Sequence, residues 1–120
     1  MGEEVEPFLS TFVNKVDRKG RVSVPATFRA LLDGQRFAGI VVFRSWKDRA
    51  LDGSGIDWMD ELNLRFESLP QFSDERDSLA RMLFGGSQRL PFDNEGRVLL
   101  PPEFAAHAGI TENAAFVDMG

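Results

Sequence analysis

The feature that most constrains this chain is an internal repeat. Residues 8–32 align without a gap to residues 84–108, an offset of 76 positions. The identities are Phe8/Phe84, Asp17/Asp93, Gly20/Gly96, Arg21/Arg97, Val22/Val98, Pro25/Pro101, Phe28/Phe104 and Ala30/Ala106. All but the first pair lie between Asp17 and Ala30 or their counterparts, so the shared pattern is D-x-x-G-R-V-x-[VL]-P-x-x-F-x-A. A match this dense points to two copies of one supersecondary unit, each too small to bury a core alone. Two copies in one chain are therefore expected to pair within the molecule, their hairpins interleaved about a pseudo-twofold axis.

Each copy has a clear local reading. Asp17 to Gly20 puts Asp at the first and Gly at the fourth turn position, which suits a type I turn followed by a left-handed glycine. Val13 and Val16 on one side, and Val22 and Val24 on the other, supply β-branched strand residues. Pro25 fits the first turn of a helix, and Phe28, Leu31 and Leu32 recur on one helical face. The second copy predicts a turn at Asp93 to Gly96, a strand at Val98 to Leu100, and a helix from Pro102 to Ala108 that Gly109 stops. Strand, turn, strand and short helix make up each unit.

Two further strands are predicted at Ile40 to Phe43 and Ala50 to Asp52. Between the copies, Trp58, Met59, Leu62, Phe66 and Leu69 form one apolar helical stripe that Pro70 ends. Ser73 is a candidate N-cap for a second helix, acidic at Asp74, Glu75 and Asp77 and broken at Gly85-Gly86. The expected division is residues 8–53 for the first unit, 54–83 for a helical linker pair and 84–120 for the second unit. At the same offset Ile40 corresponds to Phe116, and the counterpart of the Ala50 to Asp52 strand falls beyond Gly120. The second unit is therefore expected to lack one strand.

Charge is distributed unevenly. The 120 residues carry a formal net charge of -5, yet residues 1–50 hold nine Lys/Arg against six Asp/Glu, and residues 51–120 hold five against thirteen. A globally acidic chain argues against nonspecific nucleic-acid binding, whose affinity comes from neutralised phosphates, but it leaves room for a local basic patch. That patch is the stretch KVDRKGR, where Lys15, Arg18, Lys19 and Arg21 surround Asp17. Turn chemistry accounts for Asp17, Gly20, Asp93 and Gly96, and Asp17 paired with Arg21 across the hairpin is a sufficient structural reading of both. It does not require four cations at one tip.

Other chemistries are poorly supported. There is no cysteine, which removes disulfides, thiolate catalysis and Cys-based zinc sites, and a single His107 cannot assemble a metal site. Asp52, Asp57, Asp60 and Glu61 cluster near a helix start, where the helix dipole favours anions, and lack calcium-loop spacing. No G-x-S-x-G, phosphate-loop or dinucleotide glycine pattern occurs. We expect no enzyme, no cofactor and no small-molecule substrate. The acidic opening MGEEVEP and the short apolar runs predict neither a signal peptide nor a membrane span, hence a soluble intracellular protein.

The double D-x-x-G-R-V-x-[VL]-P pattern, the stretch RMLFGGSQ and the stretch PPEFAAHAGI resemble the MraZ family, whose halves are SpoVT-AbrB-like swapped-hairpin units. The resemblance covers roughly Phe8 to Val117. It implies an α+β, β-rich fold in which two hairpin and short-helix repeats form an intrachain swapped-hairpin barrel joined by a helix pair. It also implies a cytoplasmic, nucleoid-associated repressor that binds short tandem repeats in the promoter of the division and cell wall gene cluster, acting as a ring-like homo-oligomer. The family's D-x-x-x-R loops carry the DNA contacts, here Asp17 and Arg21, then Asp93 and Arg97. The expected DNA-binding set is Arg21, with Arg18, Lys19 and Lys15 on phosphate, and Arg97 less securely, since Asn94-Glu95 replaces Arg18-Lys19 at the second tip. Arg29, Arg36, Arg44, Lys47 and Arg49 extend the basic half, each readable as an ordinary surface cation. The alternative class is a ring scaffold whose basic tips bind acidic protein partners. An antitoxin-type module fits two copies in one chain less well.

Overall fold

The computed structural model describes residues 11–45 and 48–118; Phe8 and Lys47, singled out above, lie outside them. The first copy runs β1 (Thr11–Lys15), β2 (Arg21–Ser23), α1 (Ala26–Leu31), β3 (Gly39–Arg44) and β4 (Leu51–Ser54). Two helices follow, α2 (Ile56–Ser68) and α3 (Asp74–Gly85). The second copy runs β5 (Ser87–Pro91), β6 (Arg97–Leu99), α4 (Pro102–Ala108) and β7 (Asn113–Val117). The protein is a mixed α+β fold whose strands are all antiparallel.

Pairing runs between the copies more than within them. β2 pairs with β6, with Val22 directly opposite Val98, so the identical residues of the repeat face each other at its centre. β1 of the first copy pairs with β7 of the second, and β5 of the second pairs with β3 of the first. The backbone bonds respect the same symmetry: Val24 N–H donates to the Gly96 carbonyl at 3.1 Å, and Leu100 N–H donates to the Gly20 carbonyl at 2.9 Å.

Two expectations need correction. Among the described residues the strands form sheets of two, two and three strands and do not close into a barrel. The reason is local: β2 and β6 are three residues long, Pro25 and Pro101 follow two residues later without an N–H to donate, and β1 meets β2 through the single bridge Val16–Val22. The offset of 76 also fails beyond α4. Lys15 faces Asn113 while its counterpart Pro91 faces Gly39, so Gly39 corresponds to Asn113 and Ile40 to Ala114, not Phe116. From the repeat's proline, Pro25 or Pro101, to the third strand the second copy is two residues shorter.

The main core lies between the copies and draws on both. Val22, Val24 and Val42 pack with Leu90, Val98, Phe104 and Ala114. A second cluster, Val41 with Ile56 and Met59, seats α2 on the other face of β3. Alternation along β3 explains the division, since Val41 and Val42 point to opposite faces and each finds a core. The apolar stripe of α2 is narrower than its sequence implies: Met59 is buried, whereas Trp58 is 40% exposed and stacks flat on Phe43 at 5.7 Å. On α1, Phe28 is held edge-on by Phe12 and Phe116, but Leu31 is 69% exposed and Leu32 forms the C-terminal cap. At six residues, α1 is too short to present the three-residue face its spacing suggests.

Helix ends follow their residues. Leu69 turns extended before Pro70, as the ring of a following proline demands. Ser73 Oγ accepts the Arg76 N–H at 3.1 Å and caps α3. Arg76 then reaches back, donating to the Phe66 and Leu69 carbonyls at 3.1 and 3.0 Å with its guanidinium over the Phe66 ring, so one side chain ties the two helices.

Candidate nucleic-acid interface

Both D-x-x-x-R turns fold alike because the same three donors converge on the aspartate. Asp17 Oδ1 accepts the Lys19 and Arg21 N–H groups, each at 2.9 Å, and its Oδ2 accepts Arg21 Nε at 2.7 Å. Asp93 repeats the pattern with Glu95 N–H, Arg97 N–H and Arg97 Nε at 2.8, 2.9 and 2.8 Å. The backbone closes each turn by a glycine N–H to the aspartate carbonyl at 3.0 Å. Gly20 and Gly96 take the left-handed conformation that follows, at φ of 88° and 75°. Both carboxyls are held below the ordinary range, first by the backbone N–H of the arginine four residues on and further by the other donors to the carboxylate, against the cost of desolvation.

The ribbon then decides where the arginines point. Val22 and Val98 face the core, so Arg21 and Ser23 on β2, with Arg97 and Leu99 on β6, share the opposite face. Arg21 sits opposite Leu99 and Arg97 opposite Ser23, which makes the two arginines diagonal neighbours with Cα atoms about 7–8 Å apart. With each Nε engaged by an aspartate, Arg21 and Arg97 are oriented by their own turns. Asn14 Nδ2 adds a 2.6 Å bond to the Ser23 carbonyl and fastens β1 to the ribbon, a role without a local sequence signal.

The tips differ in charge. Among the described residues, no carboxylate is in ion-pair contact with Lys15, Arg18 or Lys19, and all three are exposed. At the second tip Arg97 bridges two carboxylates, Asp93 at 2.8 Å and Glu95 at 3.3 Å. Arg29 from α1 stands behind that tip, its guanidinium where a side chain on Gly96 would have to go, while Nε donates to the Val24 carbonyl at 2.9 Å. Position 105, its counterpart by the repeat, is alanine, so the repeat itself could not reveal this neighbour.

Three more of the singled-out residues have structural partners. Arg36 pairs with Asp60 at 2.8 Å, Arg44 lies over Phe104, and His107 Nε2 is 3.1 Å from the Ser45 carbonyl oxygen. No three His or carboxylate side chains gather as a metal-ligand set among the described residues. Nor is any helix among them long and apolar enough to cross a membrane.

No protein-family model matches the chain. Individual relatives do. The chain is 43% identical over 113 residues, 94% of its length, to the transcriptional regulator MraZ of Rickettsia canadensis (strain McKiel), and covers 76% of that protein. It is 44% identical over the same shares to the transcriptional regulator MraZ of Rickettsia africae (strain ESF-5), and 43% identical to that of Rickettsia bellii (strain OSU 85-389). The chain belongs to the MraZ family of transcriptional regulators. In this MraZ-family chain the two D-x-x-x-R motifs are thus built as a matched pair of turns on one ribbon face, with unequal charge at their tips.

Proposed function

We propose that this chain is a sequence-specific DNA-binding regulator that represses the division and cell wall gene cluster and its own expression. The observation that carries the reading is the first turn, where Lys15, Arg18 and Lys19 are exposed with no carboxylate in ion-pair contact among the described residues and Arg21 pairs with Asp17 alone. A two-stranded ribbon fits the major groove, about 12 Å wide, where an arginine offers paired donors to guanine and lysine meets phosphate. Arg21 enters it with Nε already held by Asp17, which fixes the guanidinium and leaves its terminal nitrogens to offer the paired donors. Arg18, Lys19 and Lys15 position the backbone. Arg97 contributes less.

The crossed pairing of β1 with β7 and β5 with β3 supports reading residues 8–53 and 84–120 as swapped-hairpin units, joined by the helices of 54–83. Binding proceeds as a ring-like homo-oligomer in the nucleoid. Several weak tips on tandem promoter repeats gain avidity when the ring geometry matches the repeat spacing. Exposed apolar side chains, Leu31 and Leu64 among them, are compatible with such self-association.

The test is an anisotropy titration against a labelled duplex of tandem promoter repeats and its scrambled twin, at several salt concentrations. Preference for the repeats is expected, with a log-log slope of about -0.9 per phosphate neutralised. Arg21→Ala abolishes DNA binding and leaves assembly intact. Equal binding to both duplexes would reject this reading in favour of a scaffold whose basic tips meet acidic proteins.

A further inference from the structure

Resting on the DNA-binding reading, we infer that Glu95 is an affinity-setting residue that silences the second tip by holding Arg97 between two carboxylates. The two turns have the same backbone and the same Asp–Arg pair, so their geometry predicts equal tips. Only the tip residues and their surroundings break the equality. At the position of Lys19 the second tip carries Glu95, whose carboxylate takes the Arg97 terminal nitrogen at 3.3 Å. One of the two terminal nitrogens that would meet phosphate or guanine therefore already faces a carboxylate. Arg29 and Arg97 together are balanced by Asp93 and Glu95, whereas the first tip has four cations and one carboxylate.

The second tip is close enough for this to matter. Gly20 and Gly96 are bonded to the partner strand at positions four residues apart, about 13 Å along the ribbon at a rise of about 3.3 Å per residue. That is about one and a half Debye lengths at physiological salt, where the length is about 8 Å, and well within the length of about 30 Å at low salt. The Arg97 guanidinium is held above its usual ionisation range chiefly by its hydrogen bond to Asp93, against desolvation, with Glu95 and, last, Asp17 of the first tip adding to it, so some charge at one tip reaches the other. Because Glu95 is 68% exposed, its pair with Arg97 adds little to stability, and its removal leaves the fold in place. Its effect is on what approaches the face.

The probe is the repeat duplex preferred over its scrambled twin. Glu95→Gln removes one charge and releases Arg97; it is expected to tighten binding roughly twofold to fivefold at low salt, the size of one exposed charge interaction. The salt slope steepens by about 0.9, one further phosphate. Glu95→Asp, which keeps the charge, gives no gain, and Arg97→Ala added to Glu95→Gln removes the steepened slope. If Glu95→Gln binds as the unmodified chain does while Arg21→Ala abolishes binding, the DNA reading stands and this inference is overturned. An equal gain from Glu95→Asp, or a steepened slope that survives Arg97→Ala, also overturns it. Absence of binding by the unmodified chain and every variant overturns both.

Discussion

Asp17 and Asp93 each serve as the hub of a turn, accepting two backbone N–H groups and an arginine side chain. Their acidity follows from this. In the folded chain both carboxyls titrate below the unfolded value, so their stabilisation is complete above the ordinary carboxylate range and is lost as pH falls through the lowered folded values. Asp17→Asn keeps an acceptor for the N–H groups but not the charge. It should lower the melting temperature at neutral pH and flatten its fall on acidification, which a melting series between about pH 2 and pH 7 reads directly. An unchanged acid limb would mean that the turn does not depend on the ionised carboxylate. Arg21→Lys separates charge from shape: it keeps a cation at the tip and loses the fork and the Nε bond. We expect residual, salt-sensitive binding without preference between repeat and scrambled duplexes.

At the scale of elements, the helix pair offers two tests. Ser73→Ala removes the only side-chain cap seen among the described helices and should cost about 1 kcal/mol in chemical denaturation. Phe72 is left-handed at φ 67° with its ring 89% exposed, so it carries backbone strain without burial in return. Phe72→Gly should therefore raise the denaturation midpoint, and a lower midpoint would show that the ring packs against something in solution. The turn residues, the cap and the stop at Pro70 were legible in sequence because each acts on its own backbone neighbours. The bonds from Arg76 to the α2 carbonyls were not, since they join residues seven and ten apart that only the reversal of the chain brings together.

For the whole molecule, the shared core sets the behaviour. Phe104 of the second copy packs with Val22, Val24 and Val42 of the first, so neither copy holds a separate core. Phe104→Ala should cost about 3–5 kcal/mol and lower a single cooperative transition seen alike by far-ultraviolet and tryptophan signals. Two separated transitions would show instead that the copies unfold independently. The same arrangement puts Arg21 and Arg97 on one face, because the valines between them are consumed by that core.

The sequence by itself determined the two turns, the valine-rich strands, the short helices and the basic first tip, as well as the family. All of these rest on contacts within a few residues or on the repeat. Tertiary structure alone decided the strand-by-strand pairing and register, including the shift of the third strand by two. It also brought Arg29 behind Gly96, from a helix some 67 positions earlier. The physical reason is that side-chain and turn preferences act along the chain, whereas pairing is selected by burying Val22 and Val98 against each other, a requirement neither copy can meet alone.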